Sequence, residues 1–166
     1  MAEAKDLTSL IKKTIGDGGV LALLYFDLHG NNKETLVQLG AGLVQKVLKE
    51  EGIVFAKGEI DEPMENEGLF STSIEMKVLT KDFSSLAGLC SNFCPFSLEV
   101  LEPQEIVLDT AHMQDLLMYI STSSHDYKKY IIEKLSTPET RAEYAKNLKN
   151  RAEIGKKLLE KKEGAS

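Results

Sequence analysis

Five side chains able to do chemistry crowd one short stretch: Asp27, His29, Asn31, Asn32 and Lys33, with Gly30 among them. A carboxylate two residues from an imidazole can orient the ring and set its tautomer, as an acid/base catalyst requires. The N–H groups of a helix start, with Gly30 permitting close approach and Lys33 nearby, can hold an anion. The plainer account is equally physical: an asparagine caps the helix, Gly30 turns the chain and His29 is solvated. Asp27, His29, Gly30, Asn31, Asn32 and Lys33 are therefore candidate ligand-binding residues, and no catalytic residue is assigned.

The remaining chemistry-bearing residues are scattered. Cys90 and Cys94 form a C-x₃-C pair, half of a structural zinc site and not the C-x₂-C of thiol redox chemistry, so buried free thiols are expected. His112 and His125 lie 13 residues apart with no H-E-x-x-H pattern, and no Walker loop, nucleophile elbow or EF-hand loop occurs. Glu59, Asp61, Glu62, Glu65 and Glu67 match no cation-binding loop and suit a solvated hairpin tip. Lys156, Lys157, Lys161 and Lys162 answer the dipole at a helix C-terminus. No metal and no cofactor is expected.

Composition bounds the partners. The 166 residues suffice for one domain with a helical appendage and a core that needs no disulfide. Net charge is −6, unevenly spread: residues 1–110 hold 9 Lys against 18 Asp and Glu, whereas residues 111–166 hold 11 Lys and Arg against 8. An acidic body disfavours nucleic acid, and the strands lack basic–aromatic interleaving. No apolar run approaches the ~20 residues that span a bilayer, and the polar start has no signal-peptide core. The expectation is a cytoplasmic chain.

These residues must be positioned by regular elements. Residues 5–14 have helical spacing, and the glycine-rich 16–19 ends that helix. Val20–Leu28 reads as a central strand, apolar on both faces in its first half. Asn31 or Asn32 caps a helix running to about Glu51, with Leu36, Leu39, Leu43, Val44, Val47 and Leu48 as its stripe. Gly40 and Gly42 inside it suggest close approach to the sheet, since each otherwise costs up to ~1 kcal/mol. Strands are expected over 53–60 and 69–79, the latter alternating through Phe70, Thr72, Ile74, Met76 and Val78. Asp82 opens a helix ending before Pro95, and 97–101 is a further strand that resumes over 105–108.

Strand, helix, strand, strand, helix, strand over residues 20–108 resembles the ferredoxin-like βαββαβ arrangement, which implies an α+β fold with an antiparallel sheet and both helices on one face. Residues 1–108 would form this domain, and 109–166 a helical extension packing on it or on a second subunit. Asp109 or Thr110 starts that extension, the Ser121–Ser124 run weakens its first helix, and Thr137-Pro138-Glu139 restarts it. The last helix aligns Ala145, Leu148, Ala152, Gly155 and Leu159 on a narrow seam that would allow close helix approach.

The expected function is a non-catalytic module that binds a small ligand or a protein. It would self-associate, as a homodimer or higher oligomer, through the last helix or the sheet. The alternative is an enzyme acting on a small anionic substrate at the strand-to-helix turn, with His29 as acid/base and Asp27 orienting it.

Overall fold

The computed structural model describes residues 2–163, with side chains described for residues 6–154 and 156. Gly155, Leu159, Lys157, Lys161 and Lys162 thus lie outside the described side chains. The chain divides into two compact units between Leu117 and Met118.

The first unit runs α1 (Ala2–Gly16), β1 (Val20–Gly30), α2 (Lys33–Val47), β2 (Ile53–Ile60), β3 (Met64–Asn66), β4 (Leu69–Thr80), α3 (Phe83–Phe93) and β5 (Ser97–Glu102). It ends in the first turns of α4 (Thr110–Leu135). The sheet is antiparallel in the order β2-β4-β1-β5, with the short β3 beside the start of β4. This is an α+β fold with a ferredoxin-like strand order.

β1 lies between β4 and β5, so the apolar first half of its sequence is covered as a central strand must be. Its even-numbered residues Val20, Ala22, Leu24 and Phe26 meet Ile74, Met76 and Val78 of β4 in the core, with Val47 of α2 and Leu86 and Leu89 of α3. Burying one such side chain contributes roughly 1.5–3 kcal/mol before chain entropy is counted. The odd-numbered residues emerge on the opposite face, which is apolar at Leu21 and polar by Asp27 and His29.

Local chemistry sets the helix starts. Asn32 caps α2, its Oδ1 accepting from the Thr35 N–H at 2.9 Å, and Asp82 caps α3 by accepting from the Ser85 N–H at 2.7 Å. α2 stops at Val47, earlier than its apolar periodicity suggests, and a turn with Gly52 at φ +83 leads into β2. Leu36, Gly40, Leu43, Val44 and Val47 line the buried side of α2, which turns Leu39 and Leu48 outward. Gly40 accounts for this: a Cβ there would meet Ile60 Cδ1 at 3.0 Å and Ile74 Cδ1 at 3.3 Å. Gly42 has open space instead and needs no such explanation.

Three further features depart from the periodicity. Met64–Asn66 pairs with Leu69–Ser71 as a hairpin closed by Glu67 at φ 52 and Gly68 at φ 80, the geometry of a two-residue turn matching strand twist. Residues 105–108 form no strand. α4 runs unbroken through Ser121–Ser124, because a few weak helix formers cost tenths of a kcal/mol each whereas a break costs a new nucleus.

The second unit holds the rest of α4 and α5 (Pro138–Glu163). The helices run antiparallel, with Tyr144 stacked on His125 at 6.3 Å between ring centroids. Leu148 and Arg151 continue that line, bordering an open cavity of about 170 Å³ with Met118, Ser121 and Thr122. The α5 contact line is therefore Tyr144, Leu148 and Arg151, while Ala145 and Ala152 are exposed.

Candidate functional site

Period-two alternation sends Asp27 and His29 to the polar face of β1 and Ser71 and Ser73 to the same face of β4. The antiparallel register then sets Asp27 opposite Ser73 and His29 opposite Ser71. The outcome is a hydrogen-bonded chain: Asp27 Oδ2 lies 2.8 Å from His29 Nε2, and His29 Nδ1 lies 2.8 Å from Ser71 Oγ. With Asp27 ionised, Nε2 carries the proton, and Nδ1 is left to accept from the Ser71 hydroxyl. The Asp27 and His29 side chains are more than half exposed, at 57% and 61%, so the pair is solvated and weak as a stabilising contact.

The chain forms one wall of an open cleft of about 370 Å³. Asp61 and Glu62, from the link after β2, form another wall. Asp61 is tied to β4 three ways: its N–H donates to the Ser73 carbonyl, its carbonyl accepts from Thr72 Oγ1, and its carboxylate accepts from Ser73 Oγ. Met64 of β3 and Phe96 before β5 add two exposed apolar surfaces at the rim. The Phe96 N–H donates to the Tyr25 carbonyl at 2.9 Å, which anchors that residue to β1.

The cleft is acidic. Asp27, Asp61 and Glu62 line it, and Lys33 Nζ bonds Glu62 Oε1 at 2.7 Å. That ammonium holds the Glu62 carboxyl below its ordinary range. Among the described residues, no three His, Cys, Asp or Glu side chains converge as a metal-binding set.

The structure brings together some of the residues singled out from sequence and separates others. Asp27 and His29 line the cleft; Lys33 reaches it only through Glu62; Asn32 is occupied as the α2 cap; Gly30 and Asn31 do not line it. Ser71, Ser73, Asp61, Met64 and Phe96 were not anticipated. Ser71 and Ser73 have a faint signal, being polar positions in an alternating strand, but their partners depend on register. Asp61 and Glu62 belong to the stretch read as a hairpin tip, but the tip lies at Glu67-Gly68, and Asp61 is held beside β4 by its bonds to Thr72 and Ser73. Cys90 is half-buried, with burial raising its thiol pKa, and Cys94 is exposed; both are free.

A family model described as the MJ0538 family matches residues 21–151. The chain belongs to the MJ0538 family. The matched stretch takes in the sheet apart from Val20, all of α4 and the first half of α5, so the residues lining the cleft lie within it. No curated protein and no solved structure matches the chain. Among the described residues, no helix is long and apolar enough to cross a membrane.

Proposed function

We propose that this member of the MJ0538 family is a ligand-binding module that holds a small molecule in the cleft without transforming it. The Asp27–His29–Ser71 chain facing the cleft carries this reading, because it presents a preset row of acceptors and donors on rigid strands. Three carboxylates against one lysine favour a ligand that is cationic or rich in hydrogen-bond donors. Met64 and Phe96 favour one that also has an apolar part. The free thiols Cys90 and Cys94 fit a reducing, cytoplasmic setting.

The test is an NMR titration with tyramine, an aromatic ammonium, against 4-hydroxyphenylacetate, its anionic counterpart. Tyramine should shift the His29, Ser71 and Phe96 signals saturably, with the effect weakened in Asp61→Asn. A response to the anion alone would reverse the assigned charge class, and a response to neither would remove the cleft as a site for such molecules.

The same chain also has the connectivity of an orienting acid, a base and a nucleophile, which makes an enzyme the second reading. Against it, Ser71 is paired on both sides, with His29 and with Met64, so the N–H groups beside it belong to the sheet ladders. N–H groups engaged in those ladders do not turn toward the cleft as an oxyanion site requires. A fluorophosphonate adduct on Ser71, absent in His29→Ala, would promote this reading above the first.

A further inference from the structure

Arginine is scarce in this chain: Arg141 and Arg151 stand against 18 lysines. Arg141 has a structural task, its Nε and Nη2 donating to the Ser136 carbonyl at 3.2 and 3.0 Å where α4 turns into α5. Arg151 instead borders the open cavity between these helices, and its side chain has no hydrogen-bond or ion-pair partner among the described residues. Across the cavity α4 presents Ser121, Thr122 and His125, which share a face because they lie within one helical turn of each other. Serine and threonine are weak helix formers that often return their hydroxyl to the carbonyl one turn back. Among the described residues Ser121 and Thr122 make no such bond. Two uncommitted hydroxyls therefore stand on the contact line of a helix hairpin, where apolar side chains would pack better. The His125 ring beside them is held by its stacking on Tyr144.

We propose that this cavity binds a phosphate-class oxyanion, either the free ion or the phosphoryl end of a larger molecule. Every polar side chain lining it can donate: a guanidinium, two hydroxyls and an imidazole N–H. No carboxylate lines it, and Asp126 and Glu153, the nearest in sequence, are not among its walls. The guanidinium fork takes two oxygens of one anion, which a lysine cannot do. A tetrahedral anion sends its oxygens in several directions and so matches donors arriving from two helices, whereas a planar carboxylate offers a single plane. The surroundings favour an anion too: residues 118–166 hold 11 Lys and Arg against 7 Asp and Glu, the reverse of the acidic first unit. At about 170 Å³ the cavity falls below the roughly 300–1,000 Å³ of pockets that engulf a drug-sized molecule. That size fits a phosphoryl group and leaves the rest of any larger ligand in solvent.

The experiment is an NMR titration of the full chain, at fixed ionic strength, with inorganic phosphate, phenyl phosphate and acetate. Phosphate should saturably shift the Arg151 Nε–H signal and the amides of Ser121 and Thr122, and acetate should not. Arg151→Lys keeps the charge and loses the fork, so binding should weaken about tenfold. Lys149→Gln removes a charge from the same helix at a position that does not line the cavity, and should bind as the wild type does. Ser121→Ala should weaken binding while raising the thermal midpoint, which separates loss of a donor from loss of fold. Phenyl phosphate binding at least as tightly as phosphate identifies the phosphoryl end of a larger molecule as the ligand; preference for phosphate identifies the free ion. Both uphold the site. No saturation with either phosphate, equal weakening in Arg151→Lys and Lys149→Gln, or acetate binding as well as phosphate overturns the proposal.

Discussion

His29 of β1 and Ser71 of β4 are cross-strand partners whose side chains meet at 2.8 Å, 42 residues apart in sequence. Asp27 reaches the other ring nitrogen from the same strand at the same distance. The contact depends on antiparallel register: a slip of one residue would turn Ser71 into the core and bring Thr72 out.

Ser71→Ala should leave global stability within about 0.5 kcal/mol of the wild type, because the pair is exposed. It should nevertheless alter the His29 ring, since Nδ1 loses the hydroxyl that donates to it. Long-range ¹H–¹⁵N spectra read the tautomer directly. An unchanged His29 ring pattern in Ser71→Ala would show that the hydrogen bond does not persist in solution.

The two glycines of α2 should respond oppositely to substitution. Gly42→Ala adds a methyl in open space and improves helix propensity, so a gain of up to ~1 kcal/mol is expected. Gly40→Val drives a branched side chain into Ile60 and Ile74, with an expected loss of about 1–3 kcal/mol. Urea denaturation of both variants measures the contrast. A loss in both would mean that α2 lies closer to its neighbours on the Gly42 side than described.

Cys94 should alkylate well before Cys90. Cys94 is exposed, whereas burial and the neighbouring Cys94 push the Cys90 thiol above its ordinary pKa and keep its thiolate scarce. Iodoacetamide at pH 8 should therefore give a singly modified species first, with the label mapped by peptide mass spectrometry to Cys94. Raising the pH should narrow the difference.

Asp109 starts α4 by accepting from the His112 N–H at 2.8 Å, and the bonds to His112 hold its carboxyl below the ordinary carboxylate pKa. A lowered folded-state pKa contributes stability that is present above the unfolded value and is lost as pH falls through the folded one. Hydrogen exchange in the first turn of α4 should accelerate across that acidic window. In Asp109→Asn the turn should show no corresponding step, while the rest of the sheet behaves as in the wild type.

Tyr144→Phe should be neutral or stabilising by up to ~1 kcal/mol. The Tyr144 hydroxyl is buried with no hydrogen-bond partner among the described residues, so its desolvation is uncompensated. Ring stacking on His125 survives the change. A clear destabilisation in thermal melts would point to an unseen partner, such as a bound water.

Much of the first unit was legible in its residues. The alternation of Thr72, Ile74, Met76 and Val78 shows a strand with one buried face, and the uninterrupted apolar run from Val20 shows a central one. Asp82 announced α3 because a carboxylate that accepts from the third N–H of a helix acts over four residues. The ferredoxin-like order followed from counting elements. α4 was harder to read, because its serine run weakens local propensity and a continuous helix is decided over the whole length.

By itself, the sequence determined where the strands and helices start, which face of each is apolar, and that Asp27 and His29 lie side by side. Those are short-range properties, set by periods of 2 and 3.6 residues and by side chains that reach their own backbone. Tertiary structure alone decided that Ser71 completes the chain at His29 and that Asp61 forms a wall of the cleft. Each depends on which distant segment lies alongside and in what register, and no local spacing encodes that.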